Sequence, residues 1–314
     1  MDRRNSLKLV LSAAASTLFF NKNAFGNQLP FSKKTTLNND AYLMAHFKEN
    51  DQKLYYAYSI DARNWIALNG RKPVFDPGVN LRDPFIGRAN GAFHLVHTKG
   101  WDYPVIHHYQ SADLVNWEGG EIKVVNDSQK RAWAPEWIYD EAEGLFYVFW
   151  ASDNNGHNSI YYTTTKNWKD ITPERSAIFY DLGIDDIDLT IIKAGNKFHA
   201  FHKVGKVSDD IWHMVSPTLN PNHPDFGLGK AARSSKIITD VVKPIEGPEI
   251  IKLSNQQKWY LYADPFYNDF IAWETVDFVN YKRISVSVPR GAKHCSLLTI
   301  SNNELDVLLN KYPV

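Results

Sequence analysis

The stretch Gly144-Leu145-Phe146-Tyr147-Val148-Phe149-Trp150 puts an aromatic-rich strand directly after a turn glycine, and the chain repeats this arrangement. Comparable turn-and-strand segments occupy residues 92–96, 197–201 and 258–262. The aromatic residues that begin these strands are Phe93, Phe146, Phe198 and Trp259, which are 53, 52 and 61 residues apart. A repeat of about 50 residues built from strands and turns is typical of β-propeller blades. The sequence therefore predicts an all-β fold.

A second repeated feature is a polar turn that leads to an aromatic residue. It reads Ser-x-Asp-x-x-Asn-Trp at 59–65 and 111–117, and it recurs in altered form at 165–168 and 275–281. Asp and Asn favour turns because their side chains bond to nearby backbone groups. The recurrence supports the same unit, and we expect its aromatic residue to pack between blades.

The repeats add up to four complete blades and one incomplete blade at residues 41–75. Residues 294–300 form a strand-like segment that has no unit of its own. We infer that this segment completes the first blade, which closes the ring and removes exposed sheet edges. A β-sandwich is the competing fold, but its strands would not recur at this period. We therefore expect a five-bladed β-propeller over residues 41–314, with the N- and C-terminal strands sharing one blade.

The first 26 residues have the order of an export signal. Arg3 and Arg4 precede an apolar stretch at 7–20, and a small-residue region with Ala24 and Gly26 follows. The apolar stretch is shorter than the ~20 residues that span a bilayer. The arginine pair resembles a twin-arginine signal, and an ordinary secretory signal is the alternative. We predict a signal at 1–26, a linker at 27–40, no membrane span, and a periplasmic or extracellular location.

Composition limits the partners of the protein. Lys and Arg together number 35, as do Asp and Glu, so the formal net charge is zero. The chain has no basic run that would indicate binding of nucleic acid. Its single cysteine, Cys295, cannot form an internal disulfide, so core packing must hold the fold together.

Acidic residues recur ten positions before the aromatic residues of the repeat. Counting back from the four aromatic residues reaches Asp83, Glu136, Asp188 and Glu249, and Glu246 lies three residues before the last of these. These positions fall where the innermost strand of each blade should begin, beside the central channel. Two or three carboxyl groups that converge there have the chemistry that cleavage of a glycosidic bond requires.

The ordered motifs resemble those of glycoside hydrolase family 43. The resemblance runs from about residue 41 to 300 and rests on Arg82-Asp83-Pro84-Phe85-Ile86, residues 111–117, Trp133-Ala134-Pro135, Ile187-Asp188, Glu246-Gly247-Pro248 and His294. Each motif is short, but the ordered set at blade spacing is fairly specific. The resemblance implies a five-bladed propeller that acts on polysaccharides containing arabinose or xylose.

The resemblance also implies roles for individual residues. Asp83 would be the general base, Asp188 would tune and orient the acid, and Glu246 would be the general acid. His294 would lie close to the channel, where a water or an ion is often found, so a structural calcium is possible there. Bond cleavage itself would need no cofactor.

Two departures from the family pattern bear on these roles. The family commonly follows its second Asp with Pro or Ala, whereas Leu189 follows Asp188 here. Gly usually follows the late His, whereas Cys295 follows His294 here. The first departure leaves the catalytic Asp in place, and the second concerns the role of His294.

Glu246 and Glu249 both qualify as the acid. The repeat register favours Glu249, whereas the Glu-Gly-Pro context favours Glu246, and a longer hairpin before Trp259 can shift the register. Because the two residues are three apart, a regular strand would turn them to opposite faces. We expect Glu246 to share the channel with Asp188. An acid must stay protonated, so a nearby negative charge or desolvation must raise the pKa of Glu246, and Asp188 as a like-charged neighbour supplies a reason for that shift.

The substrate-binding candidates are Trp133, Glu136, Trp101, His294 and Phe266. Core packing is the alternative for the three aromatic residues, and a structural role is the alternative for Glu136. The long loop at 208–234 is expected to shape or close the cleft. No His or Cys cluster has the spacing of a zinc site, so we predict no catalytic metal.

We therefore expect an exported, inverting glycoside hydrolase that acts on α-L-arabinofuranosyl or β-D-xylosyl linkages of oligosaccharides or polysaccharides. The alternatives are a carbohydrate-binding propeller without catalysis and a related propeller glycosidase that acts on another sugar, such as a galactan. A phosphorylase would need a cationic phosphate pocket near the channel, and the sequence places none.

Overall fold

The computed structural model describes residues 40–126, 131–205, 210–229, 244–266 and 269–314. The predicted export signal at 1–26 lies outside these residues, as does the predicted linker at 27–40 apart from Asp40. Within the described part of the chain, no helix has both the length and the apolar character needed to cross a membrane.

The described residues form nineteen β-strands, one α-helix and two short 3₁₀ turns at Asn69–Arg71 and Pro173–Arg175. The strands are β1 (Ala41–Phe47), β2 (Tyr55–Ser59), β3 (Ile66–Ala67), β4 (Arg82–Ala89), β5 (Ala92–Thr98), β6 (Val105–Ser111), β7 (Glu118–Lys123), β8 (Trp133–Asp140), β9 (Leu145–Asn154), β10 (His157–Thr165), β11 (Ala177–Tyr180), β12 (Asp186–Ala194), β13 (Lys197–Val204), β14 (Asp210–Ser216), β15 (Glu246–Lys252), β16 (Trp259–Asp264), β17 (Ile271–Thr275), β18 (Lys282–Ile284) and β19 (Lys293–Ile300). The helix is α1 (Asn302–Lys311).

The strands form five sheets, and each sheet is one blade. Blade 1 has the order β19-β1-β2-β3, blade 2 β4-β5-β6-β7, blade 3 β8-β9-β10-β11, blade 4 β12-β13-β14, and blade 5 β15-β16-β17-β18. The inner strands β4, β8, β12, β15 and β19 each contact the next in this series, and β19 contacts β4. The inner strands therefore form a closed ring, and the predicted five-bladed β-propeller is confirmed.

Blade 1 joins the two ends of the ring. β19 pairs antiparallel with β1, with Ile300 opposite Ala41 and Lys293 opposite Phe47. The predicted closure, in which the last strand of the ring completes the first blade, is therefore confirmed. Closure of this kind pairs the inner edge of blade 1, which would otherwise present unbonded backbone groups.

Five apolar clusters hold the blades together, one between each pair of neighbours. Between blades 1 and 2, for example, Leu43 and Tyr56 pack in one cluster with Ile86 and Leu95. The chain therefore divides its core into five similar parts around the ring. Burial of apolar area in these parts is the main favourable contribution to folding.

The aromatic residues of the polar turns pack against the preceding blade. Trp65 of blade 1 donates its Nε1–H to the Tyr262 hydroxyl of blade 5 at 3.1 Å. Trp168 of blade 3 stacks on His108 of blade 2, with ring centroids 3.9 Å apart. In blade 5 the expected Tyr281 packs against the cluster between blades 4 and 5, and Phe278 also belongs to this cluster, with its ring centroid 3.9 Å from that of His199.

The loop predicted at 208–234 is shorter than expected, because Asp210–Ser216 is strand β14 of blade 4. This strand pairs along its whole length with β13. The turn residues at 220–224 indicated a loop, and the prediction wrongly extended that loop over the strand that precedes them. Residues 208–209 and 230–234 of the predicted loop lie outside the described residues.

Helix α1 follows β19 and was not predicted. Ser301 caps it by accepting a hydrogen bond from the Glu304 backbone N–H, while the Glu304 carboxylate accepts one from the Ser301 backbone N–H. Leu305 and Leu308 pack into the cluster between blades 1 and 2. The Ser-x-x-Glu spacing is a capping box, which is the signal that could have revealed the helix.

Truncation of a core side chain at the closing strand pair should destabilise the whole ring. Leu43 on β1 is 1% exposed, so Leu43→Ala should lower the free energy of unfolding by about 2–5 kcal/mol. The control is Ile66→Ala on the outer strand β3, where the side chain is 38% exposed and a change of about 1 kcal/mol or less is expected. Urea denaturation measures both, and equal losses would contradict a closing role for β1.

Candidate active site

Each of the five inner strands contains a β-bulge close to its first residue. In β4, Arg82 lies opposite Thr98 and Phe85 lies opposite Val96, so three steps on one strand match two on the other. The second residue of each bulge has a positive φ, and these residues are Asp83 (48°), Ala134 (43°), Asp188 (55°), Gly247 (52°) and His294 (36°). A bulge of this kind changes the direction in which a side chain points.

When the five inner strands are aligned on their bulges, equivalent residues fall at three depths of the channel, which we call the outer, middle and deep tiers. The outer tier, which precedes the positive-φ residue, is Arg82, Trp133, Ile187, Glu246 and Lys293. The middle tier is the positive-φ residues themselves. The deep tier, two residues further on, is Phe85, Glu136, Thr190, Glu249 and Ser296. Proline follows the middle tier in three blades, where its missing N–H does not break the ladder.

Side chains of the preceding blade bind the N–H groups of three middle-tier residues. Ala134 N–H donates to Thr98 Oγ1 at 2.8 Å, Gly247 N–H to Asp188 Oδ2 at 3.0 Å, and His294 N–H to Asp264 Oδ2 at 3.2 Å. A positive φ costs an L-residue roughly 1–2 kcal/mol, and such strain persists only where the surroundings hold it. These hydrogen bonds between blades help to hold the middle-tier residues in their positive-φ conformation.

A cavity of about 90 Å³ opens at the mouth of the channel and brings the predicted acids together. Its lining includes Asp83, Asp188, Glu246 and His294. All three carboxyl groups to which the sequence assigns catalytic roles therefore line one pocket. They come from blades 2, 4 and 5, and the imidazole comes from blade 1.

His294 lies beside Asp83, with its Nδ1 3.4 Å from the Asp83 Oδ1. Burial alone would lower the pKa of His294, but the carboxyl groups of Asp83, Asp188 and Glu246 outweigh it and raise this pKa above its ordinary value. His294 therefore favours a positive charge among the acids. Because it occupies the middle tier of blade 1, it is the structural equivalent of Asp83 and Asp188.

Glu246 has the electrostatics of a general acid. Its side chain is 25% exposed, and burial followed by the neighbouring Asp188 raises its pKa to about 7. Lys203 opposes this shift, with its Nζ 3.2 Å from the Glu246 Oε2. Both causes that the sequence analysis considered, desolvation and the charge of Asp188, therefore act on Glu246, and burial is the larger.

Asp188 connects the other groups of the pocket. Burial raises its pKa, with a further contribution from Asp83, while His294 and Lys203 act in the opposite direction. The Asp188 Oδ2 also accepts the N–H of Gly247, which follows Glu246 directly. Asp188 therefore acts on Glu246 both through its charge and by fixing the backbone that carries the acid.

Asp186, the first acid of the Asp186-Ile187-Asp188 motif, does not line the pocket. It is fully buried, and its Oδ1 lies 2.7 Å from the His202 Nδ1. Of the two acids in this motif, the structure brings only Asp188 to the channel mouth.

Glu249 lies deeper than Glu246. Its Oε1 accepts the Leu297 N–H at 3.0 Å and its Oε2 accepts the Thr190 hydroxyl at 3.2 Å. The expectation that Glu246 and Glu249 face opposite ways is wrong, because the bulge adds one residue between them. Their partners on β16, Asp264 and Tyr262, are two residues apart and therefore share a face. Depth, and not face, separates the two carboxyl groups.

The ten-residue count from the sequence mixes two tiers. Asp83 and Asp188 belong to the middle tier, whereas Glu136 and Glu249 belong to the deep tier. The reason is that the β8–β9 and β15–β16 hairpins are two residues longer than those of blades 2 and 4. Glu136 is buried, and burial followed by Glu249 raises its pKa. It does not line the cavity, which agrees with the structural alternative for this residue.

Two of the three predicted cleft aromatics line the cavity. Trp101 is 64% exposed and meets Trp133 edge to face, with ring centroids 5.4 Å apart. The Trp133 Nε1–H donates to the Trp101 carbonyl at 2.7 Å, and the Arg82 guanidinium lies 5.3 Å from the Trp101 ring. Phe266 is not part of the lining, and its ring lies 4.9 Å from the ammonium of Lys203.

In the described ranges, no group of three or more His, Cys, Asp or Glu side chains is arranged to hold a metal ion. No ligand set for a calcium can therefore be named from these residues, and the structural calcium stays a prediction.

Residues 38–306 match the sequence profile of a glycoside hydrolase 43-related family that is described as "Probable glycosyl hydrolase domain". The chain belongs to this family. The resemblance to family 43 is confirmed, and the protein is a glycosidase by family. None of the curated proteins is similar to this sequence.

Solved structures of similar fold include glycoside hydrolases. An endo-1,4-β-xylanase from Bacteroides thetaiotaomicron VPI-5482 has a TM-score of 0.57 and 12% identity, over 80% of this chain and 92% of that chain. The Bacteroides ovatus "Xyloglucan PUL GH43B" has a TM-score of 0.52 and 18% identity, over 69% of this chain and 43% of that chain. An exo-β-1,3-galactanase from Phanerochaete chrysosporium has a TM-score of 0.50 and 15% identity, over 67% and 52%. This glycosidase therefore matches about half of the length of the last two.

The residues that lie opposite the bulges, on the second strand of each hairpin, were not predicted from the sequence. Lys203 is opposite Ile187, and Asp264 is opposite Glu246. Counting the pairs back from each hairpin turn would have brought these residues to the channel mouth. The repeated aromatic residues lie at the start of these strands, whereas Lys203 and Asp264 lie near their C-terminal ends.

An alanine at Gly247 should damage the site more than the fold. Gly247 has a φ of 52°, and a Cβ there would lie 3.1 Å from Cγ of the His294 ring. The control is Gly91→Ala, because Gly91 also has a positive φ but has nothing within 4 Å of the added Cβ. Both variants should lose about 1–2 kcal/mol of folding free energy.

Only Gly247→Ala should also lose hydrolytic activity, by about 10²-fold, because a small displacement of reacting groups is enough for such a loss. Thermal denaturation and a glycosidase assay on both variants measure the two effects. Wild-type activity in Gly247→Ala would show that contact with His294 does not matter to the site.

Proposed function

We propose that this glycosidase hydrolyses α-L-arabinofuranosyl or β-D-xylosyl linkages of oligosaccharides and polysaccharides with inversion at the anomeric carbon. The observation that carries the proposal is the convergence of Asp83, Asp188 and Glu246 on one pocket at the mouth of the propeller. Inversion needs an acid and a base on opposite sides of the sugar, about 6.5–9.5 Å apart. Blades 5 and 2, which supply Glu246 and Asp83, are not neighbours in the ring, and this separation supports the assignment.

The reaction follows from these two roles. The Glu246 carboxyl donates its proton to the glycosidic oxygen, and the bond between that oxygen and the anomeric carbon breaks with its electron pair going to the oxygen. A water attacks the anomeric carbon from the other side and forms the new C–O bond, while its proton passes to Asp83. Exchange with solvent then returns Glu246 to the protonated form and Asp83 to the ionised form. No step requires a metal or an organic cofactor.

Asp188 and His294 support these two groups without exchanging atoms with the substrate. Asp188 raises the pKa of Glu246 and bonds to the N–H of Gly247. His294 Nδ1 lies 3.4 Å from the Asp83 Oδ1, so the imidazole is placed to orient the carboxylate of the base.

Trp101 and Trp133 form the proposed contact surface for the sugars of the substrate. Exposed tryptophan faces suit sugar rings because they offer a large apolar surface with little loss of side-chain entropy. We assign Glu136 and Phe266 to the support of the pocket rather than to direct contact, since neither lines the cavity.

We also propose that the protein is exported to the periplasm or the extracellular space. The support is the charged, apolar and small-residue order of residues 1–26. Mass spectrometry of the protein from a fractionated cell tests this, and an uncleaved Met1 in the exported fraction would contradict a cleaved signal.

Loss of either proposed catalytic carboxyl should abolish most of the activity. Asp83→Asn and Glu246→Gln should each lower kcat/KM by at least ~10²-fold, which is the lower end of the contribution of a general acid or base. The matched control is Glu118→Gln on the exposed edge strand β7, which should keep wild-type activity. Aryl arabinofuranosides and xylosides are the substrates, and proton NMR of the first sugar released should show the inverted anomer.

The same panel separates the rival functions. It includes aryl galactosides, because one protein of similar fold is an exo-β-1,3-galactanase. Turnover of galactosides alone would replace the proposed sugar while keeping the mechanism. Full activity of Asp83→Asn or Glu246→Gln would remove that residue from its role, and no turnover of any glycoside by the wild type would favour a binding protein.

The pH profile should report the protonation of Glu246. The acid is active only when protonated, and its pKa is about 7, so kcat/KM should fall as the pH rises through about 7. Stopped assays from pH 5 to 9 measure this limb. A profile that stays flat to pH 9 on a substrate with a sugar leaving group would contradict the assignment of Glu246 as the acid.

A further inference from the structure

Lys203 on β13 is a buried cation directly behind Glu246, which lines the proposed active site. Its side chain is 9% exposed, and its Nζ lies 3.2 Å from the Glu246 Oε2. Burial of an ammonium group is unfavourable unless nearby groups compensate for the lost water. A lysine at this place therefore suggests a role that a smaller or apolar side chain could not fill.

Phe266 restricts the directions that the ammonium can take. The Lys203 Nζ lies 4.9 Å from the centroid of the Phe266 ring. Phe266 is fixed in turn, because its N–H donates to the Asp264 Oδ1 at 2.9 Å. The aromatic ring thus covers one side of the ammonium, while the carboxyl of Glu246 accepts a hydrogen bond from it.

We propose that Lys203 is a positioning residue for the general acid, which holds one oxygen of the Glu246 carboxyl and compensates the charge that Glu246 gains when it donates its proton. This proposal rests on the function proposed above. With Oε2 bound to Lys203, the other oxygen is left to carry the proton towards the glycosidic oxygen. After proton transfer the same contact becomes a charge-assisted hydrogen bond, which is shorter and stronger than a neutral one.

The benefit should depend on the leaving group of the substrate. A sugar leaving group is a poor one and needs nearly complete proton transfer from Glu246. A 2,4-dinitrophenolate is a good leaving group and needs little or none. Loss of a residue that supports proton donation should therefore slow hydrolysis of the substrate with the sugar leaving group and leave that of the dinitrophenyl substrate nearly unchanged.

Several other charged groups also act on Glu246, and the test must separate Lys203 from them. They are Asp188 on β12, Asp264 on β16 and His294 on β19, and His294 in turn lies beside Asp83 on β4. Lys203 and His294 lower the pKa of Glu246, whereas Asp188 and Asp264 raise it. Removal of Lys203 alone should therefore raise the pKa of Glu246 and shift the basic limb of the pH profile to higher pH.

The test compares Lys203→Met, Lys203→Arg and the wild type on two substrates of the same sugar, one with a sugar leaving group and one with 2,4-dinitrophenol. Lys258→Met is the matched control, because Lys258 also pairs with a glutamate: its Nζ lies 3.4 Å from the Glu274 Oε2. This pair lies at the start of β16, whereas Glu246 lies opposite Asp264 at the end of that strand. Carbon-13 NMR of glutamate-labelled protein gives the pKa of Glu246 directly, with the resonance identified by its loss in Glu246→Gln. Thermal denaturation shows whether each variant is folded.

For Lys203→Met we expect a loss of about tenfold or more with the sugar leaving group and of about threefold or less with dinitrophenol. We also expect a raised pKa of Glu246 and a basic limb at higher pH. Lys203→Arg should restore most of the pH profile because it keeps the charge. Lys258→Met should match the wild type in all of these measurements.

Equal losses on both substrates, with an unchanged basic limb, would show that Lys203 only stabilises the fold and would overturn the proposal. An unchanged pKa of Glu246 in Lys203→Met would overturn it as well. If the wild type hydrolyses no glycoside, the proposed function fails, and the NMR titration still decides whether Lys203 holds the Glu246 carboxyl.

Discussion

One inserted residue in each inner strand sets the geometry on which the candidate site depends. In a regular strand, successive side chains alternate between the two faces of the sheet. The bulge interrupts this alternation and gives Asp83, Asp188 and His294 a positive φ at the same height in three blades. Because the blades surround one axis, equal placement in each blade brings the side chains together at the channel mouth. The interblade hydrogen bonds to Ala134, Gly247 and His294 help to hold this backbone in place.

The parts of the fold that could be predicted are those with local signals in the sequence. Turn residues and the aromatic residues after them fixed the blade period, and a strand without a unit of its own indicated closure of the ring. The depth of each acid in the channel could not be predicted from the aromatic spacing, because hairpin length differs between blades. A better guide was present in the recurring prolines, since Pro84, Pro135 and Pro248 all follow a middle-tier residue. Aligned on them, Glu246 falls beside Arg82 and Trp133 in the outer tier.

The electrostatics of the pocket depend on contacts between strands that are far apart in the sequence. Asp188 and Glu246 are carried by different blades, and the cation between them belongs to the neighbouring strand of the Asp188 hairpin. Burial contributes most to the raised pKa of Glu246, and burial is a property of the assembled ring. The identity of the acids could therefore be inferred from motifs, whereas their tuning required the arrangement of the blades. The same holds for Glu136 and Glu249, whose shared burial below the pocket follows from ring assembly.

The pairing of β1 with β19 has a consequence for synthesis of the protein on the ribosome. Translation delivers β1 before blades 2 to 5 and β19 after them, so the edge of β1 that β19 will cover stays unpaired while blades 2 to 5 emerge. During that time the nascent chain presents a row of free backbone groups on which another copy could pair. The strand that finally covers this edge also carries His294 to the channel mouth. The pairing of β19 with β1 thus covers the exposed edge and completes the pocket in the same step.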